Sequence, residues 1–462
     1  MNSLNRKKNK VVAIRSVLVA IVITLGGCES YLAVDMPHNQ LVPEAVFQDD
    51  ALANGAVAAI YQDIMVSRTS HFANGGDNSV TALTDVAAGV LLYNLNSANV
   101  GEFAARNWLP DNDAVNTLWA SAYKTIFQAN EVLDGLATYG GVTAALASQL
   151  RGEALFMRAF CHHQLVQLFG GVPLVLTSDY RVTQQLPRSA PQVVYDHVEN
   201  DLKEAVDLLP GDYSHALDER VRPNRWAAQL LLARVYAYQQ RWAEAGDAAA
   251  AVIGQTGWYD LVPIEEVYLK NNHEAIWQLF VLENSRASHE GAQALPNDAL
   301  TTPPRYSYAA EVLDALEPAD LRLREWVGSY TMPNGVDVYN YVAKYKIRQS
   351  PMGERPDEYS MVLRLTEAYL LRAEARLKQG DVGGAIADVN AVREAHSGLE
   401  PLAGLEAGAV MDVIERERLI EFTYEWGHRW ADLKRWGRND LLLPIPQREL
   451  EANPFLIQNP DY

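Results

Sequence analysis

LLARVYAYQQRWAEAGDAAAAVI, residues 231–253, lines up without a gap against LRAEARLKQGDVGGAIADVNAVR, residues 371–393. Ala233 falls over Ala373, Gln239 over Gln379, Ala245 over Ala385 and Val252 over Val392. In the first copy and the turn before it, Ala228, Leu231, Leu232 and Val235 make one apolar stripe, and Trp242, Ala245, Ala249, Val252 and Ile253 make the next. Three- and four-residue steps place such residues on one face of a helix. Each copy therefore reads as two antiparallel helices joined by a short polar turn, with small residues in the second that allow close approach. A helical hairpin of this kind cannot bury its apolar face alone and must stack on neighbours, as tetratricopeptide-like pairs do. The roughly 34-residue tandem period of such arrays is absent, so the array is expected to be degenerate and interrupted.

The same periodicity predicts helices over 114–138, 145–169 and 190–209. Near the end, Leu419, Phe422, Trp426, Trp430 and Leu433 fall on one helical face, and Glu421, Glu425, Arg429, Asp432 and Arg435 on the other. Gly427 is expected to divide this stretch into two helices, and its charged ladder reads as a stabilised surface or a buried structural network rather than a reaction centre. Two segments lack helical period, about 66–110 and about 257–360. The second is rich in Pro, Gly, Asn, Tyr and Trp, with strand-like pieces EAIWQLFVL and YVAKYKI. Irregular excursions on a rigid scaffold are where binding surfaces tend to lie. The fold class that follows is mainly α, with tetratricopeptide-like helix pairs forming a scaffold for loop and short-strand elaborations.

The chain of 462 residues is 48% hydrophobic and 21% charged, the composition of a folded protein. Its start runs through a basic segment (RKKNK), a short apolar stretch from Val17 to Leu25 broken by Thr24, and then Leu25-Gly26-Gly27-Cys28. That order fits a secretory signal processed at Cys28, whose thiol becomes lipid-modified; Gly26 is an unusual choice before such a cut. The apolar stretch is too short to span a bilayer, and no later run of about 20 apolar residues exists. A diacylglycerol thioether with an added acyl chain would anchor the protein on a membrane without embedding it. The formal charge is −19, and removal of residues 1–27 takes away only positive side chains, leaving −24. Such a surface disfavours nucleic acid and anionic lipid headgroups, and neutral ligands fit it better.

Several segments in order resemble the SusD/RagB family. LRGEALFMRAFCHHQLVQLFGGVPLV (150–175) is similar to its helix that begins Gly-Glu-Ala and ends Phe-Gly-Gly-Val-Pro-Leu, although His162-His163 stand where the family more often has aromatics. RPNRWAAQLLLARVYAYQQRWAEAGDAAAAVI (222–253) and LRLTEAYLLRAEARLKQGDVGGAIADVNAVREA (363–395) resemble its two helix pairs. ERERLIEFTYEWGHRWADLKRWGR (415–438), LLPIPQRELEANPFLIQNPDY (442–462) and the early PEAVF (43–47) resemble its remaining motifs. The resemblance implies a cell-surface lipoprotein of the outer membrane that captures an oligosaccharide, or in some members a peptide, for a SusC-like TonB-dependent transporter. It also implies a signal over 1–27 and a helical region over 28–256. Residues 257–462 would then carry ligand-face elaborations (256–360) and the last helix pair and motifs (361–462), all in one compact fold. The motif helices are structural in this family, so the ligand face is expected elsewhere.

Nothing in the sequence points to catalysis: no paired carboxylates stand out, and neither Gly-x-Ser-x-Gly nor His-Glu-x-x-His occurs. His162 and His163 are adjacent on a helix and point about 100° apart, poor geometry for one metal, so core packing is expected of them and of Cys161. No cofactor is implied, and loop Asp and Asn residues leave calcium open. Sugar binding requires flat rings for C–H faces and fixed polar partners for hydroxyls. The candidates in the irregular segments are Tyr93 and Trp108 in the first, with Asp85 as a polar contact, and Tyr306, Tyr308, Trp326 and Tyr330 in the second. A protein-binding helical scaffold and a surface hydrolase are the competing readings.

Overall fold

The computed structural model describes residues 43–66, 72–280, 288–297, 302–351, 354–438, 441–460 and 462. Cys28 and the signal expected over residues 1–27 lie outside the described residues. From Val46 onward the chain forms one unit.

The chain opens this unit with α1 (Asp50–Val66), α2 (Val80–Ala88), β1 (Leu91–Tyr93) and α3 (Ala98–Ala105). Long helices follow: α4 (Asp113–Tyr139), α5 (Ala144–Phe169), α6 (Pro191–Leu208), α7 (Arg225–Tyr238) and α8 (Trp242–Ile253). The irregular stretch then holds β2 (Ala275–Leu279), α9 (His289–Ala294), β3 (Tyr306–Tyr308), α10 (Leu321–Trp326), β4 (Val327–Thr331), β5 (Val338–Val342) and β6 (Ser360–Arg364). Then come α11 (Leu365–Lys378), α12 (Val382–His396), α13 (Ala407–Phe422) and α14 (His428–Arg435), followed by a short helix, Gln447–Ala452. The mainly α class expected from the sequence is observed.

The helices pack in a row, α4 on α5, α5 on α6, α6 on α7 and α7 on α8; α8 then packs on α11, α11 on α12, and both of these on α13. The two similar hairpins, 140 residues apart in the chain, are thus direct neighbours in space. Gly246 of α8 lies against the Ala375 methyl group of α11, so the small residues permit the close approach. Across α7 and α11, Arg234 forks onto Glu367 with Nε and Nη2 each 2.6 Å from a carboxylate oxygen, both side chains buried. Asn224 caps α7 by accepting from the Trp226 and Ala227 amides at 3.0 Å.

The terminal charged ladder is the buried network rather than a surface. Helix α13 ends at Phe422, and Gly427, at φ +71°, turns the chain into α14. Apolar Leu419, Phe422, Trp426 and Trp430 are buried, and so are Glu421, Glu425 and Asp432 on the opposite side. Five cations, Arg322, Lys344, Arg364, Arg393 and His396, share five carboxylates, Asp320, Glu274, Glu417, Glu421 and Glu425, and Arg322 and Arg364 each bridge three of them. His396 sits between two carboxylates, Nε2 3.0 Å from Glu274 and Nδ1 3.2 Å from Glu421. Burial pulls its pKa down, but Glu421 and Glu274 outweigh that and hold it at about 9. The charged imidazolium completes the balance of charge.

The strands form two antiparallel sheets. β2 and β6 make a ribbon buried on both faces; the other sheet has the order β1-β3-β5-β4. EAIWQLFVL contains β2, as its pattern suggests. YVAKYKI is strand only through Val342, because the Lys346 and Ile347 amides donate to the Glu358 carboxylate (2.7 and 2.9 Å) instead of to a neighbouring strand.

Candidate functional site

The four-stranded sheet gathers tyrosines from both irregular segments. Its register places Leu92 beside Ser307, Ser307 beside Tyr341, and Tyr341 beside Gly328; two residues along, Tyr330 pairs with Tyr339. Paired residues share a face and strands alternate with period two, so Leu92, Tyr341, Tyr339 and Tyr330 line one face. A side chain at position 328 would run into the Tyr341 ring, so glycine there lets the ring lie flat across the strand. Tyr330, Tyr339 and Tyr341 are all half-buried and keep part of each ring open to solvent. The tight β4–β5 turn projects them: Asn334 accepts from the Val336 and Asp337 amides at 3.0 and 3.1 Å, and Gly335 takes φ +70°.

At the β1–β3 end the opposite face carries Tyr93 against Tyr306, ring centroids 5.6 Å apart. Tyr93 is half-exposed. Asp77 accepts from the Tyr306 hydroxyl at 2.9 Å and pairs with Arg305. Burial raises the Asp77 pKa, and Arg305 and Tyr306 offset this in part. The Tyr93 hydroxyl is raised chiefly by burial and then by Asp77, with Arg305 acting against both. On the other side of the strand end, Asn94 donates to the Pro304 carbonyl (2.9 Å) and Ser307 Oγ (3.0 Å).

Arg305 also lines a cavity of about 190 Å³ at this end of the sheet. Leu95, Pro296, Pro303 and Pro304 supply rigid apolar wall, and Gln293, Asn297, Thr302 and Arg348 supply polar groups. This mixture of rigid apolar surface and a few fixed polar groups is the composition of a small-molecule site. A second cavity of similar volume lies between α1 and the end of β2, walled by Tyr61, Met65, Val221, Leu279 and Phe280. Its polar side chains are Gln62 and Arg222, and Arg222 is committed to Glu153 and Asn54 at 2.7 Å each. A polyhydroxylated ligand fits the first cavity better than the second.

Of the seven residues proposed from sequence, Tyr93 and Tyr330 keep solvent-open surface, on opposite faces of the sheet. The others are corrected to core positions. Trp108 packs between Phe103 and Trp430, ring centroids 5.9 and 5.8 Å away. Trp326 packs on Tyr268 and His396, with Lys344 Nζ 4.8 Å above its ring. Tyr308 donates to the Trp326 carbonyl at 3.2 Å, and Tyr306 is enclosed by Tyr93, Tyr424 and Asp77. Asp85 is fully buried, accepts from the Tyr424 amide at 2.5 Å, and has its pKa pushed by burial to about 7. Enclosed in this way, these rings and this carboxylate present no surface to a ligand. His162 and His163 are buried, as expected, with pKa values lowered to about 3 by desolvation. Among the described residues no cluster of three or more His, Cys, Asp or Glu could hold a metal, and no helix is long and apolar enough to cross a membrane.

Sequence reasoning missed Asp77, Arg305, Tyr339, Tyr341 and Arg348. The alternation in TMPNGVDVYNYV (331–342) is a hairpin signal that marks Tyr339 and Tyr341; Asp77, Arg305 and Arg348 carry none.

Residues 44–237 match a family model described as "Starch-binding associating with outer membrane", and residues 326–441 match that of the SusD family. SusD-like protein P25 of Formosa agariphila is 24% identical, covering 96% of this chain and 97% of its own length. A SusD superfamily protein from Bacteroides vulgatus superposes with a TM-score of 0.76 at 20% identity, over 90% of this chain and all of the other. A laminarin-binding SusD-like protein superposes at 0.74 with 22% identity, over 89% of this chain and 99% of its own. Two matches in order along the chain and relatives covered over nearly their whole length place this chain in the SusD family.

Proposed function

We propose that this protein is a surface lipoprotein that captures an oligosaccharide and passes it to a SusC-like TonB-dependent transporter of the outer membrane. The observation that carries the binding step is the group Tyr93, Arg305 and Asp77 beside the cavity at the β1–β3 end. A half-exposed ring takes the C–H face of a pyranose, and hydroxyls need donors and acceptors already fixed in place, because buried polar groups left unpaired cost about 1–3 kcal/mol each. The half-exposed Tyr330, Tyr339 and Tyr341 face extends the stacking surface along the sheet. The leader ending at Cys28 supports lipid anchoring, and the description of the matched family supports the outer membrane. The role is binding without catalysis, with the segment 256–360 and the end of β1 forming the ligand face on the helical scaffold.

The test is a titration of the full-length protein in detergent against a panel of oligosaccharides and peptides, repeated with Tyr93→Ala. A saccharide that binds, with affinity at least about tenfold weaker in the variant, is the expected result. Peptide binding with no saccharide binding, or saccharide binding indifferent to Tyr93, would overturn this reading of the site.

A further inference from the structure

Resting on saccharide capture beside Tyr93, we infer that the sheet carries a second saccharide site on its opposite face, at the tip of the β4–β5 hairpin. The two sites together select long neutral glycans over short ones. Tyr330 and Tyr339 are partners across the strands and half-buried, and among the described residues their side chains make no hydrogen bond and no ring contact. Tyr306 and Tyr308 of β3, by contrast, are enclosed and hydrogen-bonded. The Met332 amide donates to the Asp337 carbonyl at 2.8 Å, one step beyond the last strand pair, so alternation puts Asp337 next to Tyr339 on the same face. Asn334 Nδ2 donates to one oxygen of that exposed carboxylate at 2.6 Å. An open ring beside a carboxylate already held in place is the pairing that Tyr93 and Asp77 make at the other end.

The ring takes the C–H face of a pyranose, and the carboxylate accepts from its hydroxyls in charge-assisted hydrogen bonds. An exposed carboxylate repels the acidic groups of charged sugars, so the glycan that suits the tip is neutral, in keeping with a protein of net charge −19. From β1 to β5 and β4 the sites stand two to three strands apart, roughly 10–14 Å at the usual strand spacing, and on opposite faces. One sugar unit cannot touch both, and a glycan that reaches both has to pass around an edge of the sheet. Leu92 lies on the edge strand β1, on the Tyr330 face, and is 52% exposed, so that edge is open where the glycan turns. Once one site holds it, the second binds at the effective concentration set by the intervening sugar units. Affinity then rises with length without a new kind of contact.

The experiment is calorimetric titration of the full-length protein in detergent with pullulan, xyloglucan, galactomannan and arabinoxylan, each as the polymer and as a tetrasaccharide cut from it. A polymer that binds is expected to do so at least about tenfold more tightly than its tetrasaccharide. The tetrasaccharide is expected to saturate at two per protein, the weaker one at the more open tip. Tyr339→Ala, and Asp337→Lys at an exposed turn position, are each expected to reduce that number to one and to remove the advantage of the polymer. Tyr93→Ala is expected to leave only the weaker tetrasaccharide. One tetrasaccharide per protein in the unaltered chain, none in Tyr93→Ala, or a polymer advantage that survives both tip substitutions overturns the inference while capture at Tyr93 stands; the tip rings would then be free for a protein partner. Binding of no probe, or two tetrasaccharides bound as tightly in Tyr93→Ala as in the unaltered chain, overturns the capture reading and the inference with it.

Discussion

Arginine is set against carboxylate in two parts of this molecule, with opposite results. In the core around α12 and α13, Arg322, Arg364 and Arg393 are buried with their counterions, and every carboxylate of the group has a cationic partner. At the β1–β3 end, Arg305 and Arg348 are half-exposed beside a cavity; Arg305 pairs with Asp77, and Arg348 donates to the main-chain carbonyls of Ala292 and Leu295. The difference is one of desolvation. A buried charge must be matched within the protein, because the medium will not solvate it. An arginine at a cavity wall retains water, or a ligand, as its partner. The first region gives a fixed joint between the last helices and the strand layer; the second leaves its arginines at a cavity wall.

The largest expected effect tests the joint. Glu421 accepts from Arg322 and Arg364 and faces His396, so Glu421→Ala strands several buried cations and should cost about 3–5 kcal/mol by denaturant titration. Replacing an ion group wholesale by apolar residues is often neutral, so a loss below about 1 kcal/mol would mean that water enters the network and the contrast with the cavity is false.

The pH dependence comes next. The folded pKa of His396 lies near 9, above its unfolded value of about 6.5. Its contribution is therefore fully present below pH 6.5 and is lost as pH rises through 9, a change of about 3 kcal/mol. Asp85 and Glu290 are raised by burial to about 7, so they too bind a proton more tightly when folded. Their contribution is present below pH 4 and fades as pH rises through 7. Thermal unfolding should show stability falling from pH 7 to 10, whereas below pH 7 the fall from Asp85 and Glu290 is opposed by His162 and His163, which the fold holds neutral. His396→Gln should flatten the limb between 6.5 and 9, and Asp85→Asn should remove its falling contribution below 7. A stability maximum at pH 9 would contradict both assignments.

The smallest effect is expected at the cavity. Arg348→Gln exchanges a half-exposed group and should move the unfolding free energy by about 1 kcal/mol or less. A loss as large as that of Glu421→Ala would make Arg348 part of the scaffold.

The helices were legible because their signal is local. Spacing in 114–138 and 145–169 predicts α4 and α5 to within a few residues, and Gly427 breaks the terminal pattern where the chain turns. The repeated hairpin indicated stacking, yet did not indicate that α8 and α11 are each other's neighbours. In the irregular segments the sequence showed which residue types were present but not which way they face. Trp108 and Trp326 have the same composition-based claim to a ligand as Tyr93 and Tyr330, and only packing separates the buried pair from the open pair.

Residue spacing by itself determined the helical class, the paired hairpins and the presence of two regions without period, because a helix repeats every 3.6 residues and writes its buried face into the chain. Tertiary structure decided the rest. Arg364 meets Glu274 and Glu421 at separations of 90 and 57 residues, and Asp77 meets Arg305 across 228. No local pattern encodes contacts at that range, and the balance between a buried charge and an available one is set only when the segments come together.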